Sequence, residues 1–213
     1  MKIYIISGLG ADERVFYKLD FSDFEVVFIP WILPEKNEEL AAYALRMSKY
    51  IKEPNPIILG LSFGGIIAIE ISKFLPVQKL ILLSTAKTKF ELPFYFRVLG
   101  FTNIAKYLPY KFLASFKIFR WFLGDISKAD IQLILTMIQA ADASYIKWSV
   151  QQIFNWKNTK EPKNYIHIHG MKDRVLLYKN IQNKITVKNG GHFMLMEQSK
   201  EISNLIKNAI LTI

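Results

Sequence analysis

At 213 residues, with 51% hydrophobic and 22% charged side chains, the chain suits one domain with a substantial core and an ordinary soluble composition. It contains no cysteine, which excludes disulfides, thiolate metal sites and a cysteine nucleophile. Three histidines without an Asp/Glu cluster give no basis for a metal centre, so neither metal nor cofactor is expected. The net charge of +10 is uneven: between Ala86 and Lys160, eleven Lys/Arg stand against four acids, a net of +7.

The chain opens on a strand-like run, Lys2 to Ser7, with Gly8-Leu9-Gly10 as its exit loop. No signal-peptide pattern is visible there, and a cytoplasmic address is the expectation. A short helix is expected over Asp12–Leu19, with Asp12 and Glu13 suited to its first turn. Glu25–Pro30 reads as a second strand, and Glu35–Ile51 as a helix on the spacing of Leu40, Tyr43, Ala44, Met47, Tyr50 and Ile51. Ile57–Leu61 is short and apolar, as a strand buried on both faces should be, and a helix carrying Ile66, Ile67, Ile69 and Ile71 follows. This apolar window also contains Ser62, glycines and Glu70, so it reads as buried strand plus helix rather than a membrane span. Later strands are expected at Lys79–Thr85, Asn164–Gly170 and Lys184–Lys188, with a closing amphipathic helix over Glu197–Leu211.

Strands alternating with helices call for an α/β fold, a mostly parallel sheet of about six strands covered on both faces. The interval Lys87–Pro162 breaks the alternation. It reads as helices near Leu92–Leu108, Tyr110–Leu123, Ser127–Ala140 and Ala143–Trp156, with helix starts at Ser127/Asp130 and Asp142/Tyr145. Residues 1–86 and 163–213 are thus expected to form the core, and 87–162 an inserted all-helical cap, within one structural unit.

Between the third strand and its helix lies Gly60-Leu61-Ser62-Phe63-Gly64. A Gly-x-Ser-x-Gly pentapeptide in that context places a serine on a sharp turn, at a helix N-terminus where N–H groups favour developing negative charge. A serine hydroxyl needs a base, and the base needs an orienting group. In a parallel sheet both belong in loops at the carboxyl ends of strands. Asp173 lies just beyond the fifth strand and His192 just beyond the sixth, in the chain order Ser62, Asp173, His192. The bland alternatives are an N-cap for Asp173 and a satisfied loop histidine for His192. His167 and His169 sit inside a strand and read as structural, with His169 helping to shape the loop of Asp173. For the oxyanion, the main-chain N–H of Phe63 supplies one donor and that of Leu9, between two glycines, the other.

These stretches resemble an α/β-hydrolase of the single-domain type with a helical lid. The likeness runs from Ile3–Gly10 through Gly60–Gly64 to His169-Gly170-Met171-Lys172-Asp173-Arg174-Val175 and Gly190-Gly191-His192-Phe193. It implies Ser62 as nucleophile, His192 as base then acid, Asp173 as the group holding the imidazole, and Leu9 and Phe63 as oxyanion donors. Three departures stand out. Ser7 stands where family members often have histidine, Leu176-Leu177 replaces a frequent proline, and two leading edge strands are missing, which leaves monomer and homodimer both open.

Between Phe90 and Trp156 lie sixteen aromatic residues, enough to pack the cap and to leave a surplus for an apolar pocket over Ser62. Lys106, Lys111, Lys117 and Arg120 interleave with them. A solvated face, an anionic carrier of the substrate and an anionic membrane surface all account for these charges. No nucleic-acid recognition module is visible. The resulting expectation is a serine hydrolase acting on a small-molecule ester or thioester of an acyl or aromatic acid. A lyase using the same triad as acid and base, and a ligand-binding protein without turnover, are the alternatives.

Overall fold

The computed structural model describes residues 1–102 and 126–211. Six strands form one sheet: β1 (Lys2–Ile6), β2 (Glu25–Phe28), β3 (Ile57–Leu61), β4 (Lys79–Leu83), β5 (Tyr165–Gly170) and β6 (Ile185–Val187). Their order is β2-β1-β3-β4-β5-β6, and every adjacent pair is parallel. The helices are α1 (Leu40–Ser48), α2 (Phe63–Ile71), α3 (Phe94–Thr102), α4 (Lys128–Ala140), α5 (Ala143–Phe154), α6 (Met194–Glu197) and α7 (Ser199–Leu211).

Because successive strand residues point to opposite faces, each central strand feeds two cores. Ile3, Ile5, Leu59, Ile81 and Leu83 meet Ile202, Ile206 and Ile210 of α7 and Ile134 and Met137 of α4 on one face. On the other, Tyr4, Ile6, Ile58, Leu80 and Leu82 meet Tyr43, Ala44 and Met47 of α1 and Ile67 and Ile71 of α2. All five residues of β3 are buried, as its unbroken apolar run requires. Each such Ile or Leu contributes roughly 1.5–3 kcal/mol on leaving water.

The order places β1, β3, β4 and β5 side by side, so the loops leaving their carboxyl ends converge on one edge. Several elements differ in extent from expectation. The helix expected over 35–51 begins only at Leu40, because Asn37 has φ 59° and the Glu38 carboxylate accepts from Glu35 N and Arg46. The stretch from Asp12 tightens to a single 3₁₀ turn, Glu13–Phe16, capped by Asp12. β4 stops at Leu83, with Ser84 at φ 44°, and the closing helix breaks at Gln198 into α6 and α7.

Between β4 and β5, α4 and α5 start where their caps stand: Ser127 Oγ accepts from Asp130 N, and Asp142 accepts from Ser144 N and Tyr145 N. The helix expected over 110–123, and the four interleaved basic residues, lie outside the described residues. Where this segment leaves and rejoins the sheet its two arms are tied together. Lys89 N donates to Asn158 O at 2.8 Å, and Asn158 Nδ2 donates to Lys87 O at 2.7 Å. Lys87 is fully buried, with Nζ donating to Glu91 Oε1 and to Gln182 O, each at 2.6 Å. Trp156 Nε1 donates to the buried Glu70 on α2 at 2.8 Å. No helix among the described residues is long and apolar enough to cross a membrane.

Candidate active site

Ser62 occupies the turn from β3 into α2, with φ 51° and ψ −117°, a backbone conformation that L-residues hold only under strain. The surroundings enforce it. Ser62 N donates to Leu83 O at 2.9 Å, and Ser62 O accepts from Thr85 Oγ1 at 2.7 Å and from Gly65 N at 2.9 Å. The flanking glycines are required by space. A Cβ on Gly64 would stand 2.2 Å from Ser7 O, and one on Gly60 would stand 2.5 Å from Gly65 Cα. Main chain from β1, β3 and α2 therefore meets at van der Waals distance only because those side chains are absent.

The histidine loop and the acid loop are likewise bound to each other. Met171 N donates to Val187 O and Lys172 N to Gly190 O, at 3.0 and 2.9 Å. His192 then lies between the other two residues singled out in the sequence. Its Nδ1 is 2.8 Å from Asp173 Oδ2, and its Nε2 is 3.0 Å from Ser62 Oγ. A neutral imidazole with its proton on Nδ1 donates to the carboxylate and accepts from the serine hydroxyl. His192 and Asp173 are only 6% and 4% exposed, so the line runs through a water-poor space where hydrogen bonds to charge are strong.

Asp173 makes both of the contacts that the sequence leaves as alternatives. Its Oδ1 accepts from Val175 N and Leu176 N at 2.8 and 2.9 Å, a capping turn, while Oδ2 faces His192. Burial pushes its pKa up, but the electrostatic attraction and hydrogen bond of His192, the proximity of His169 and the N–H of Leu176 outweigh that. The carboxyl is held below its ordinary range.

Leu9 and Phe63 flank the serine from two elements. Phe63 opens α2 directly after Ser62, and Leu9 follows β1 in a loop that passes close by, since a Cβ on Gly8 would sit 3.6 Å from Ser62 Cβ. Among the described residues no His/Cys/Asp/Glu group could hold a metal ion.

Neither the protein-family models nor the curated proteins offer a match to the sequence. Solved structures do. An esterase from Exiguobacterium antarcticum superposes with a TM-score of 0.71 at 16% identity, over 98% of this chain and 91% of that one. A putative non-heme bromoperoxidase from Mycobacterium tuberculosis gives 0.70 at 12% identity, over 99% and 92%. A lipase-esterase related protein from Clostridium acetobutylicum gives 0.65 at 18% identity, over 97% and 93%.

The chain has the α/β-hydrolase fold.

Within this α/β-hydrolase frame, Ser7 directly follows β1 at the head of the first loop. Its hydroxyl donates to Ala11 O at 2.6 Å and accepts from Trp31 Nε1 at 2.8 Å, which closes the loop on itself. Trp31 was not singled out in the sequence. Its indole stacks on Phe63 with centroids 5.5 Å apart and planes 17° apart, and meets Tyr145 of α5 at 5.2 Å. Trp148 of α5 packs edge-on to Phe63 and lies 4.3 Å from Tyr43. Aromatic rings from the β4–β5 segment thus pack on Trp31 and on Phe63, the residue after Ser62. Trp31 sits in a proline-flanked loop with no periodicity, so only the topology reveals the contact.

Proposed function

We propose that this protein is a serine hydrolase of carboxylic esters or thioesters, working through an acyl-enzyme. The observation that supports this most is the unbroken line Ser62 Oγ, His192 Nε2, His192 Nδ1, Asp173 Oδ2, with links of 3.0 and 2.8 Å. Ser62 Oγ attacks the substrate carbonyl carbon as its proton passes to His192 Nε2. The carbonyl π electrons move onto oxygen, and the N–H groups of Phe63 and Leu9 receive that charge. On collapse the bond to the leaving alkoxide or thiolate breaks, and His192 returns the proton to it. Water, deprotonated by the same nitrogen, then attacks the acyl-serine and releases the acid and free Ser62. Asp173 keeps the imidazole in the correct tautomer and balances its transient charge.

Residues 87–162 act in this reading as a lid. The partly exposed rings of Trp31 and Trp148, packed on Phe63 directly after the nucleophile, supply apolar surface, which favours an acyl or aromatic acid over a sugar or a highly charged substrate. The esterase names among the solved structures agree with this direction. A fluorophosphonate probe tests it: wild type is labelled stoichiometrically and Ser62→Ala not at all. A folded wild type that resists the probe, or a Ser62→Ala variant that still turns over p-nitrophenyl esters, overturns the reading.

A further inference from the structure

We infer that His169 is a positioning residue for the catalytic line, acting on Asp173 by two routes that meet at the same carboxylate. This rests on the serine-hydrolase reading above. His169 lies on β5, four residues before Asp173, and is fully buried. Its Nε2 stands 2.8 Å from Leu176 O and 3.4 Å from Asp173 Oδ2. Both are acceptors, so the ring proton belongs on Nε2, hydrogen-bonded to Leu176 O with Asp173 Oδ2 lying nearby.

The first route is mechanical. Leu176 offers its carbonyl to His169 and its N–H to Asp173 Oδ1, so the imidazole fixes the residue that fixes the acid. The second is electrostatic. Asp173 Oδ2 is the oxygen that accepts from His192 Nδ1, and His169 approaches that same atom. The positive end of the Nε2–H dipole, 3.4 Å from Oδ2, stabilises part of the charge that this oxygen presents to His192. This stabilisation moderates how tightly Asp173 holds the imidazolium that forms during attack, and so how readily His192 returns the proton to the leaving group.

The groups facing His169 are consistent with a neutral donor. Asp173 and His192 face it from the two catalytic loops, His167 lies edge-on at 5.4 Å along β5, and Lys184 contributes from the stretch before β6. Burial, followed by the opposing pull of Asp173 and Leu176 O, leaves its pKa below the ordinary histidine range. His167 is held below the ordinary histidine range as well, by burial first and then by Lys87 Nζ, which lies 3.3 Å from its Nδ1.

The test compares His169→Leu, which removes the donor, with His169→Gln, whose amide N–H reaches a similar position. The readout is the pH profile of kcat/KM on a p-nitrophenyl ester. His169→Leu is expected to lose about tenfold or more in kcat, with the acidic limb moved to higher pH because Oδ2 then holds the imidazolium more tightly. His169→Gln is expected to recover most of both. A Leu variant whose limb stays in place, whatever its kcat, reduces His169 to a structural contact and overturns the inference. Histidine-selective ¹⁵N NMR of the wild type gives an answer that does not depend on any variant folding: His169 must carry its proton on Nε2, and an Nδ1 tautomer ends the argument. Fluorophosphonate labelling of the same wild-type sample separates this outcome from failure of the serine mechanism itself.

Discussion

Gly170→Ala probes the join between the acid loop and the histidine loop. An added Cβ at Gly170 would lie 2.2 Å from Gly190 O, 2.5 Å from Gly190 C and 2.9 Å from Gly191 O. All three are main-chain atoms, so no side chain can swing aside. Bringing the closest contact to an ordinary carbon–oxygen separation requires a displacement of about 1 Å, in a structure packed too densely to absorb it locally. His192 follows Gly190 by two residues and Asp173 follows Gly170 by three, so the shift passes into the 2.8 Å bond between them. A misplacement of about 1 Å at reacting groups costs about 100-fold in rate, and overpacking of this kind costs about 1–3 kcal/mol in stability. Steady-state hydrolysis of p-nitrophenyl butyrate should show kcat/KM lowered by about two orders of magnitude, with Tm reduced by several degrees in a thermal melt. A variant within threefold of wild type and melting at the same temperature would refute the claim that the two loops are held at contact distance.

Two further predictions concern buried charge. Lys87→Met leaves the Glu91 carboxylate with only the N–H groups of Lys87 and Gln182, and removing one partner of a buried pair costs about 3–5 kcal/mol. With Glu91's two remaining donors the lower end applies, so Tm should fall by about 6–12 °C, and adding Glu91→Leu should recover at least half of it. A fall under 2 °C in the single variant contradicts this. His167 and His169 are both depressed below the ordinary histidine value of 6.5 by burial, so the unfolded chain takes up protons before the folded one does. Their contribution is fully present above pH of about 6.5 and is lost as pH drops below it, by at most about 1.4 kcal/mol per histidine per pH unit. Tm should therefore hold level from pH 8.5 to 7 and decline toward pH 5.5. A level Tm down to pH 5.5 would show that these rings are not kept neutral.

The strand-to-helix turn at Ser62 and the placement of Asp173 and His192 beyond β5 and β6 were legible because each is a local event with a chemical signature. Glycines where no Cβ fits, a carboxylate three residues past a strand and an imidazole after Gly190-Gly191 are all visible in one dimension. What escaped depends on distance in the chain. Trp31 reaches Ser7 and Phe63 only after β1 and β3 have paired, and no pattern in its own loop announces this. The helix expected from residue 35 failed for a local reason that apolar spacing does not encode. Glu38 turns its carboxylate to Arg46 and Glu35 N, and Asn37 takes a left-handed conformation, so the capping turn consumes the first residues. The position of Asp173 in the sequence suits either a cap or a partner for His192, and its two oxygens make one contact each way.

The ties at Lys87, Lys89, Asn158 and Trp156 give the β4–β5 segment a socket assembled mainly by core residues and its own first and last turns. The same segment is fastened along its length as well, by Ile134 and Met137 in the core and by Tyr145 and Trp148 against Trp31 and Phe63, so a foreign helical stretch would have to reproduce those contacts. A graft into this segment would thus have to keep its mounting points, as an exchanged part keeps its bolts.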